Sequence, residues 1–164
     1  MNKKRGIKIG ILLVAGLCIC AGCSAGQGGK YTLEELDNLA EIRIYAAKNN
    51  ELIKTVSDEE QLYQFNQCSI FDGTDIEERQ EELKRDLEGA EEQYHLTAYK
   101  YPAARFGGKE LVENMTITLY EDSDIIRMTV AEESIKAFTV PEEFLTFYYE
   151  APEAEMEFYR SFVE

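Results

Sequence analysis

Apolar and polar positions alternate along the chain in two ways, with a period of two in some segments and with helical spacing in others. The period of two predicts strands at residues 41–46, 52–56, 95–101, 113–120, 125–131 and 134–140. Asn49-Asn50 lies between the first two strands and favours a hairpin turn. Short acidic segments connect the later strands, which is typical of an antiparallel meander.

Helical spacing predicts a short helical turn and four helices, which we place at residues 32–39, at 58–67, within 72–94, at 141–149 and at 152–164. The first turn begins with a capping box formed by Thr32 and Glu35. Ser57 is the expected cap of the helix that follows. Pro141 suits a first helical turn, so the aromatic run after it is predicted to be helical.

These elements predict a single α+β domain at residues 31–164. Its antiparallel sheet has five or six strands, with helices packed on one face. No internal repeat or proline-rich linker divides the segment. Residues 23–164 are enough for one hydrophobic core that needs no disulfide.

The N-terminus has the order of an export signal. A basic start that contains Lys3, Lys4, Arg5 and Lys8 precedes an uncharged apolar run at residues 9–21. That run is shorter than the roughly 20 residues that a membrane-spanning helix needs, and a polar, glycine-rich stretch follows it. The pattern predicts a signal peptide at residues 1–22 and a flexible tether at residues 23–30.

Cys20-Ala21-Gly22-Cys23 resembles the lipobox of bacterial lipoproteins, of the kind that Gram-positive bacteria carry. The lipobox prefers leucine where this chain has Cys20, whereas Ala21, Gly22 and Cys23 fit the pattern. The resemblance implies that signal peptidase II cleaves between Gly22 and Cys23, and that palmitate-type acyl chains on Cys23 hold the domain in the lipid bilayer, on the extracytoplasmic face of the cell membrane. The residues leave two alternatives open, an uncleaved signal anchor or ordinary secretion after cleavage near Ala21.

Loss of residues 1–22 makes the chain more acidic. The sequence has 17 basic and 32 acidic residues, and residues 1–22 carry four of the basic ones and none of the acidic ones. With 13 basic residues left against 32 acidic ones, the formal charge is about −19. Such a surface excludes nucleic acid as a partner and favours cationic partners. The alternative is that acidity only keeps the domain soluble.

No catalytic or metal site is recognisable in the sequence, and no cofactor is expected. His95 is the one histidine, which excludes a His-rich zinc site, and no nucleophile elbow or phosphate-binding glycine motif occurs. Cys68 is the one cysteine that follows Cys23, and we expect it to pack in the core. The acidic residues at 72–75 and 122–124 lack the pattern of a calcium loop and are predicted to form turns.

Two regions are candidate binding surfaces. The first is a long connection that concentrates cations and aromatic rings in an otherwise acidic chain. Its candidate binding residues are Tyr99, Lys100, Tyr101, Arg105, Phe106 and Lys109. The alternative is that its basic residues pair with acids of the same domain. The second region is the aromatic C-terminal segment, provided that Tyr148, Tyr149 and Tyr159 are exposed together.

Three classes of function fit these observations. The leading hypothesis is a membrane-anchored, extracytoplasmic lipoprotein that acts as a non-enzymatic binding or interaction module for a protein partner. A narrower alternative is an acidic immunity-type lipoprotein that sequesters cationic peptides. A small cell-envelope hydrolase is a further alternative, and it would need a deep pocket that joins His95 to two acids.

Overall fold

The computed structural model describes residues 30–68, 76–102, 110–132, 141 and 144–164. They form a six-stranded antiparallel sheet and three helices, which confirms the predicted α+β fold. The elements in chain order are β1 (Leu39–Ala46), β2 (Glu51–Val56), α1 (Glu59–Gln67), α2 (Ile76–Asp86), β3 (Glu92–Lys100), β4 (Val112–Tyr120), β5 (Ile125–Val130), β6 (Thr146–Glu150) and α3 (Glu153–Ser161). None of the described helices is long and apolar enough to cross a membrane.

The strands lie in the order β2-β1-β3-β4-β5-β6. β1 and β2 form the predicted hairpin, in which Asn50 adopts a φ of 54°, a conformation that asparagine tolerates better than most residues. β3 pairs with the other side of β1, and the chain continues as an antiparallel meander through β6. Five of the six residues of β2 are exposed, so this strand lies at the margin of the fold.

One face of the sheet carries the hydrophobic core. Alternation along the strands points a set of fully buried side chains to this face, namely Ile42, Ile44, Leu96, Ala98 and Ile117. α1 and α3 pack over them and join the same core. The Phe65 ring contacts the rings of Tyr159 and Phe162, with centroid distances of 6.0 and 6.3 Å. This aromatic contact joins α1 to the C-terminal segment.

The opposite face of the sheet is polar. Its residues alternate with those of the core and are mostly threonines, tyrosines and arginines, including Arg43, Thr97, Tyr99, Thr116, Thr118, Tyr120, Arg127 and Tyr148. The hydroxyl oxygens of Thr97 and Thr116 form a hydrogen bond of 3.0 Å. Arg127 Nη2 donates to Thr118 Oγ1 at 3.3 Å. Neighbouring side chains on this face therefore satisfy hydroxyls that burial would otherwise leave without partners.

α2 lies beside β6, the last strand of the sheet. The side-chain amide of Gln80 pairs with the backbone of Tyr148 as a neighbouring strand would: Gln80 Nε2 donates to the Tyr148 carbonyl at 2.8 Å, and the Tyr148 N–H donates to Gln80 Oε1 at 2.7 Å. Leu83 and Leu87 lie three and seven residues further along the helical segment and are buried. One amide thus satisfies two backbone groups that an edge strand normally leaves free.

Replacing Gln80 with alanine is expected to lower the free energy of unfolding by about 1–3 kcal/mol, because it removes two hydrogen bonds and leaves two backbone groups of Tyr148 unsatisfied. The exchange rate of the Tyr148 amide hydrogen measures the loss directly. Glu81→Ala is the control, since Glu81 is exposed on the same helix. If the Tyr148 amide of Gln80→Ala stays as protected as in the wild type, the edge contact does not form in solution.

The predicted helix at residues 141–149 is wrong. The Phe144 N–H donates to the Pro141 carbonyl at 2.9 Å, so the proline begins a single turn. Residues 146–150 form β6, which pairs with β5 along its length. Threonine and aromatic residues favour a strand when a neighbouring strand is available, and here that tertiary contact overrides the local helical signal.

The N-terminal turn has the predicted capping box. The Thr32 N–H donates to Glu35 Oε2 at 2.7 Å, and the Glu35 N–H donates to Thr32 Oγ1 at 3.2 Å. The turn does not continue into a regular helix, because Asp37 and Asn38 adopt φ values of 49° and 60°. It therefore ends before β1 begins.

The cap of α1 lies one residue later than predicted. Asp58 Oδ1, rather than the Ser57 hydroxyl, accepts a hydrogen bond of 3.1 Å from the Gln61 N–H. A carboxylate at this position also places negative charge at the positive end of the helix dipole. The expectation of a Ser57 cap is therefore wrong, while the predicted helix itself is confirmed.

Other expectations fall outside the described residues. These are the signal peptide and lipidation site with most of the tether (residues 1–29), the turn at 72–75, the strand at 134–140, and Arg105, Phe106 and Lys109 of the candidate loop. They remain predictions.

Candidate functional site

The described part of the candidate binding loop consists of the end of β3 and Tyr101 after it. Lys100 Nζ forms an ion pair with the Asp37 carboxylate in the N-terminal turn, so one cation of the predicted site is bound to an acid of the same domain. Tyr101 is about half exposed, and its N–H donates to the Asn38 carbonyl at 2.9 Å. This end of β3 is therefore fastened to the turn at residues 32–38.

Tyr99 lies on the polar face of the sheet, beneath Arg43. The Arg43 guanidinium carbon is 4.2 Å from the Tyr99 ring centroid, and Arg43 also forms an ion pair with Glu41. Burial, followed by a hydrogen bond with Tyr45, raises the pKa of the Tyr99 hydroxyl to about 12. The phenol therefore stays protonated at physiological pH. Tyr99 and Lys100 point to opposite faces of the sheet, so they do not form one recognition surface.

The single histidine belongs to a network on the polar face. His95 Nε2 lies 3.0 Å from Glu92 Oε2, and Arg127 Nη1 lies 2.8 Å from Glu92 Oε1. Partial burial raises the pKa of Glu92, but the contacts with His95 and Arg127 outweigh it and hold that pKa below its usual value. Among the described residues, Glu92 is the one carboxylate that forms a hydrogen bond or ion pair with His95. No group of three or more potential metal ligands occurs among the described residues.

A cleft separates α1 from α3 on the helical side of the domain, and we call it the α1–α3 cleft. Its volume is about 540 Å³, and it is lined by Glu60, Tyr63, Gln64, Gln67, Cys68, Ala154, Glu155 and Phe158. The cleft is shallow and opens widely to solvent. Half-buried rings of Tyr63 and Phe158 contribute to its walls, and the carboxylates of Glu60 and Glu155 bring negative charge from both helices.

Cys68 contributes to the lining of the α1–α3 cleft and packs against the core from there. Burial raises the pKa of its thiol to about 11, and the negative charge of Glu155 adds to the effect. At neutral pH the thiol is therefore protonated and a poor nucleophile. This agrees with the expectation that Cys68 is a small packing residue, although its position at a cleft was not expected.

Glu155 is fixed by a buried neighbour. The hydroxyl of Tyr159, which is fully buried, donates to Glu155 Oε1 at 2.8 Å. Burial is the main reason that the pKa of Tyr159 lies far above its usual value. The carboxylate is thus held in place at the cleft by a side chain that belongs to the core.

The chain enters the domain at the rim of the same cleft. The Lys30 N–H donates to Glu59 Oε2 at 2.7 Å, and Lys30 Nζ forms an ion pair with Glu60. The Tyr31 ring stacks on the Tyr63 ring, with a centroid distance of 4.2 Å and an angle of 5° between the planes. The Tyr31 hydroxyl donates to Glu60 Oε2 at 3.0 Å. Residues 30 and 31 are therefore docked on α1.

The expected aromatic patch in the C-terminal region does not form. Tyr159 is fully buried, and Tyr148 and Tyr149 are adjacent in β6, so their side chains point to opposite faces of the sheet. Phe144 is the exposed ring in this region, at 65 % exposure. The condition that Tyr148, Tyr149 and Tyr159 be exposed together is not met.

Sequence reasoning missed the α1–α3 cleft. A signal was present in each helix separately, since Glu60, Tyr63, Gln64 and Gln67 recur at helical spacing, as do Glu155 and Phe158. What the spacing does not report is that these two helices are neighbours on the same face of the sheet.

No protein-family model, curated protein or solved structure matches this chain.

Proposed function

We propose that the protein is a lipid-anchored, extracytoplasmic binding module whose ligand site is the α1–α3 cleft. The observation that carries this proposal is the cleft itself, a recess of about 540 Å³ that combines aromatic walls with carboxylates. Four of the eight lining residues carry an amide or a carboxylate, and polar groups of this kind orient a bound ligand.

The position of the cleft fits a domain that is held close to a membrane. Lys30 and Tyr31 are docked on α1, next to Glu60 and Tyr63 of the cleft. Seven residues lead from Cys23 to Lys30, and seven residues span at most about 25 Å when fully extended. An acylated Cys23 would keep Lys30, at the rim of the cleft, within that distance of the bilayer surface.

The polar face of the sheet supports a binding role less strongly. Its charged groups already have partners in the same domain, Arg43 with Glu41 and Arg127 with Glu92. A ligand on this face would have to compete with those pairs. In the cleft, Glu60 is also paired, with Lys30, but Glu155 takes part in no ion pair among the described residues.

Crosslinking on living cells, followed by mass spectrometry, tests this function. We expect the wild type to capture a defined partner and Ala154→Trp to lose it, because an indole at this exposed lining position fills the cleft. Ser161→Trp is the matched control on the same helix, and it should keep the partner since Ser161 does not line the cleft.

A third variant, with Lys100→Ala, Arg105→Ala and Lys109→Ala, tests the rival loop. We expect it to keep the partner as well. If this variant loses the partner and Ala154→Trp keeps it, the loop is the binding site and the cleft is not. If the wild type captures no partner, the binding module itself is contradicted.

A further inference from the structure

We propose that the ligand of the α1–α3 cleft is a basic peptide, which places a lysine or arginine side chain at Glu155, on the wall opposite the pair of Lys30 and Glu60. This inference rests on the binding function proposed above and adds the chemistry of the ligand. It depends on three features of the cleft: its carboxylates, its aromatic walls and a lysine of the chain itself that is bound at its rim.

The negative charge without a cationic partner is that of Glu155 on the α3 wall, because Glu60 on the α1 wall is paired with Lys30. α1 contains no basic residue, and the single basic residue of α3, Arg160, is turned away to Asp124, with 3.3 Å between Arg160 Nη2 and Asp124 Oδ1. Tyr159 fixes one oxygen of Glu155 by a neutral hydrogen bond, which leaves the charge of that carboxylate uncompensated. A cation in the cleft would remove this imbalance, whereas an anion would be repelled.

The aromatic walls suit the same kind of side chain. Tyr63 and Phe158 are half-buried, so part of each ring is accessible from the cleft. The methylene groups of lysine or arginine can pack along such rings while the charged end reaches a carboxylate. A cation close to the face of an aromatic ring gains further attraction from the ring. A neutral apolar ligand would gain the packing but would leave the charge of Glu155 without a cationic partner.

Lys30 already shows this mode of contact at the rim. Its Nζ forms an ion pair with Glu60 and lies 5.0 Å from the centroid of the Tyr31 ring. The Tyr31 ring is in turn stacked on Tyr63, which lines the cleft. The domain therefore holds a lysine of its own by a carboxylate and a tyrosine ring at the entrance. Glu155 and Phe158 offer the same pair of groups on the opposite wall.

Isothermal titration of the full lipidated chain in neutral detergent micelles, at physiological salt, tests the ligand chemistry. The probes are a capped tetralysine peptide and a capped tetraglutamine peptide of the same length. We expect tetralysine to bind and tetraglutamine not to bind. Equal binding of both peptides, or no binding of tetralysine at millimolar concentration, would overturn the proposal.

Two double variants distinguish binding of tetralysine in the cleft from its attraction to the overall negative charge of the protein. Glu60→Gln with Glu155→Gln removes both carboxylates of the cleft and keeps oxygen atoms that can accept from Tyr31 and Tyr159. Glu121→Gln with Glu157→Gln removes the same number of charges from exposed positions outside the lining. We expect the cleft variant to lose tetralysine affinity at least tenfold and the control variant to lose less than twofold. Equal losses would mean that tetralysine follows the overall field and has no site in the cleft.

Failure of this inference differs from failure of the proposed function. If Ala154→Trp loses its crosslinked partner while tetralysine binds both double variants equally, the cleft is a binding site for a ligand that is not cationic. If Ala154→Trp keeps its partner, the cleft is not the site and both proposals fall.

Discussion

Replacing Phe65 with alanine is expected to lower the free energy of unfolding by about 3–5 kcal/mol, the range for removing a buried aromatic side chain. Phe65 is 1 % exposed and packs against the rings of Tyr159 and Phe162. The substitution leaves a cavity at the point where α1 meets the C-terminal segment. Most domains are stable by only about 5–15 kcal/mol, so this single change removes a large part of the total.

Equilibrium unfolding in urea, followed by far-ultraviolet circular dichroism, measures the effect. Phe144→Ala is the matched control, because Phe144 is 65 % exposed and its loss should change the stability by no more than about 0.5 kcal/mol. Equal effects of the two substitutions would mean that α1 is not docked on the sheet through Phe65.

Replacing Cys23 with serine is expected to abolish acylation and to leave residues 1–22 attached to the chain. A serine hydroxyl cannot form the thioether to diacylglycerol, and signal peptidase II acts on the acylated cysteine in the family that the lipobox resembles. The effect on membrane attachment is large, because each buried methylene of an acyl chain contributes about 0.8 kcal/mol.

Incorporation of labelled palmitate and the mass of the intact chain measure both outcomes in cells. Cys20→Ser is the matched control, since it changes a cysteine three residues upstream in the same segment. We expect it to retain the label and to lose residues 1–22. If Cys23→Ser is still labelled and shortened, the lipobox interpretation is wrong. Ordinary secretion after cleavage near Ala21 would give a shortened chain without label in the wild type.

The strands β1, β3, β4 and β5 could be predicted from the sequence because each has one buried and one polar face. In β4, for example, Met115, Ile117 and Leu119 face the core, while Thr116 and Thr118 face the other side. Alternation of this kind is local information, so it can be read without knowing which strands are neighbours. The ends of β3, β4 and β5 were accordingly predicted to within a few residues.

β6 could not be found in this way. Its central residues Phe147, Tyr148 and Tyr149 are all aromatic, so the segment shows no contrast between a polar and an apolar face. Pro141 supplied a local helical signal, and it does begin one turn. The strand exists because β5 offers a partner along its length, and that partner is known only from the fold.

The candidate site was harder to predict than the fold. Tyr99, Lys100 and Tyr101 were grouped because they are adjacent in sequence, yet adjacency in a strand sends neighbouring side chains to opposite faces. The α1–α3 cleft joins Glu60 to Glu155 across 95 positions of sequence. The spacing of residues within one helix does not show which other helix lies beside it. The site could therefore be identified only from the folded chain.

The two edge strands of the sheet, β2 and β6, differ in how accessible their outer backbone groups are to a further strand. At β6, the Gln80 side chain occupies the backbone groups of Tyr148, whereas β2 has no neighbour on its outer side among the described strands and exposes Leu52 and Ile53. A further strand that pairs with β6 would first have to displace the Gln80 amide from Tyr148, whereas no described strand covers the outer side of β2. Of the two described margins, a partner strand therefore meets less competition at β2.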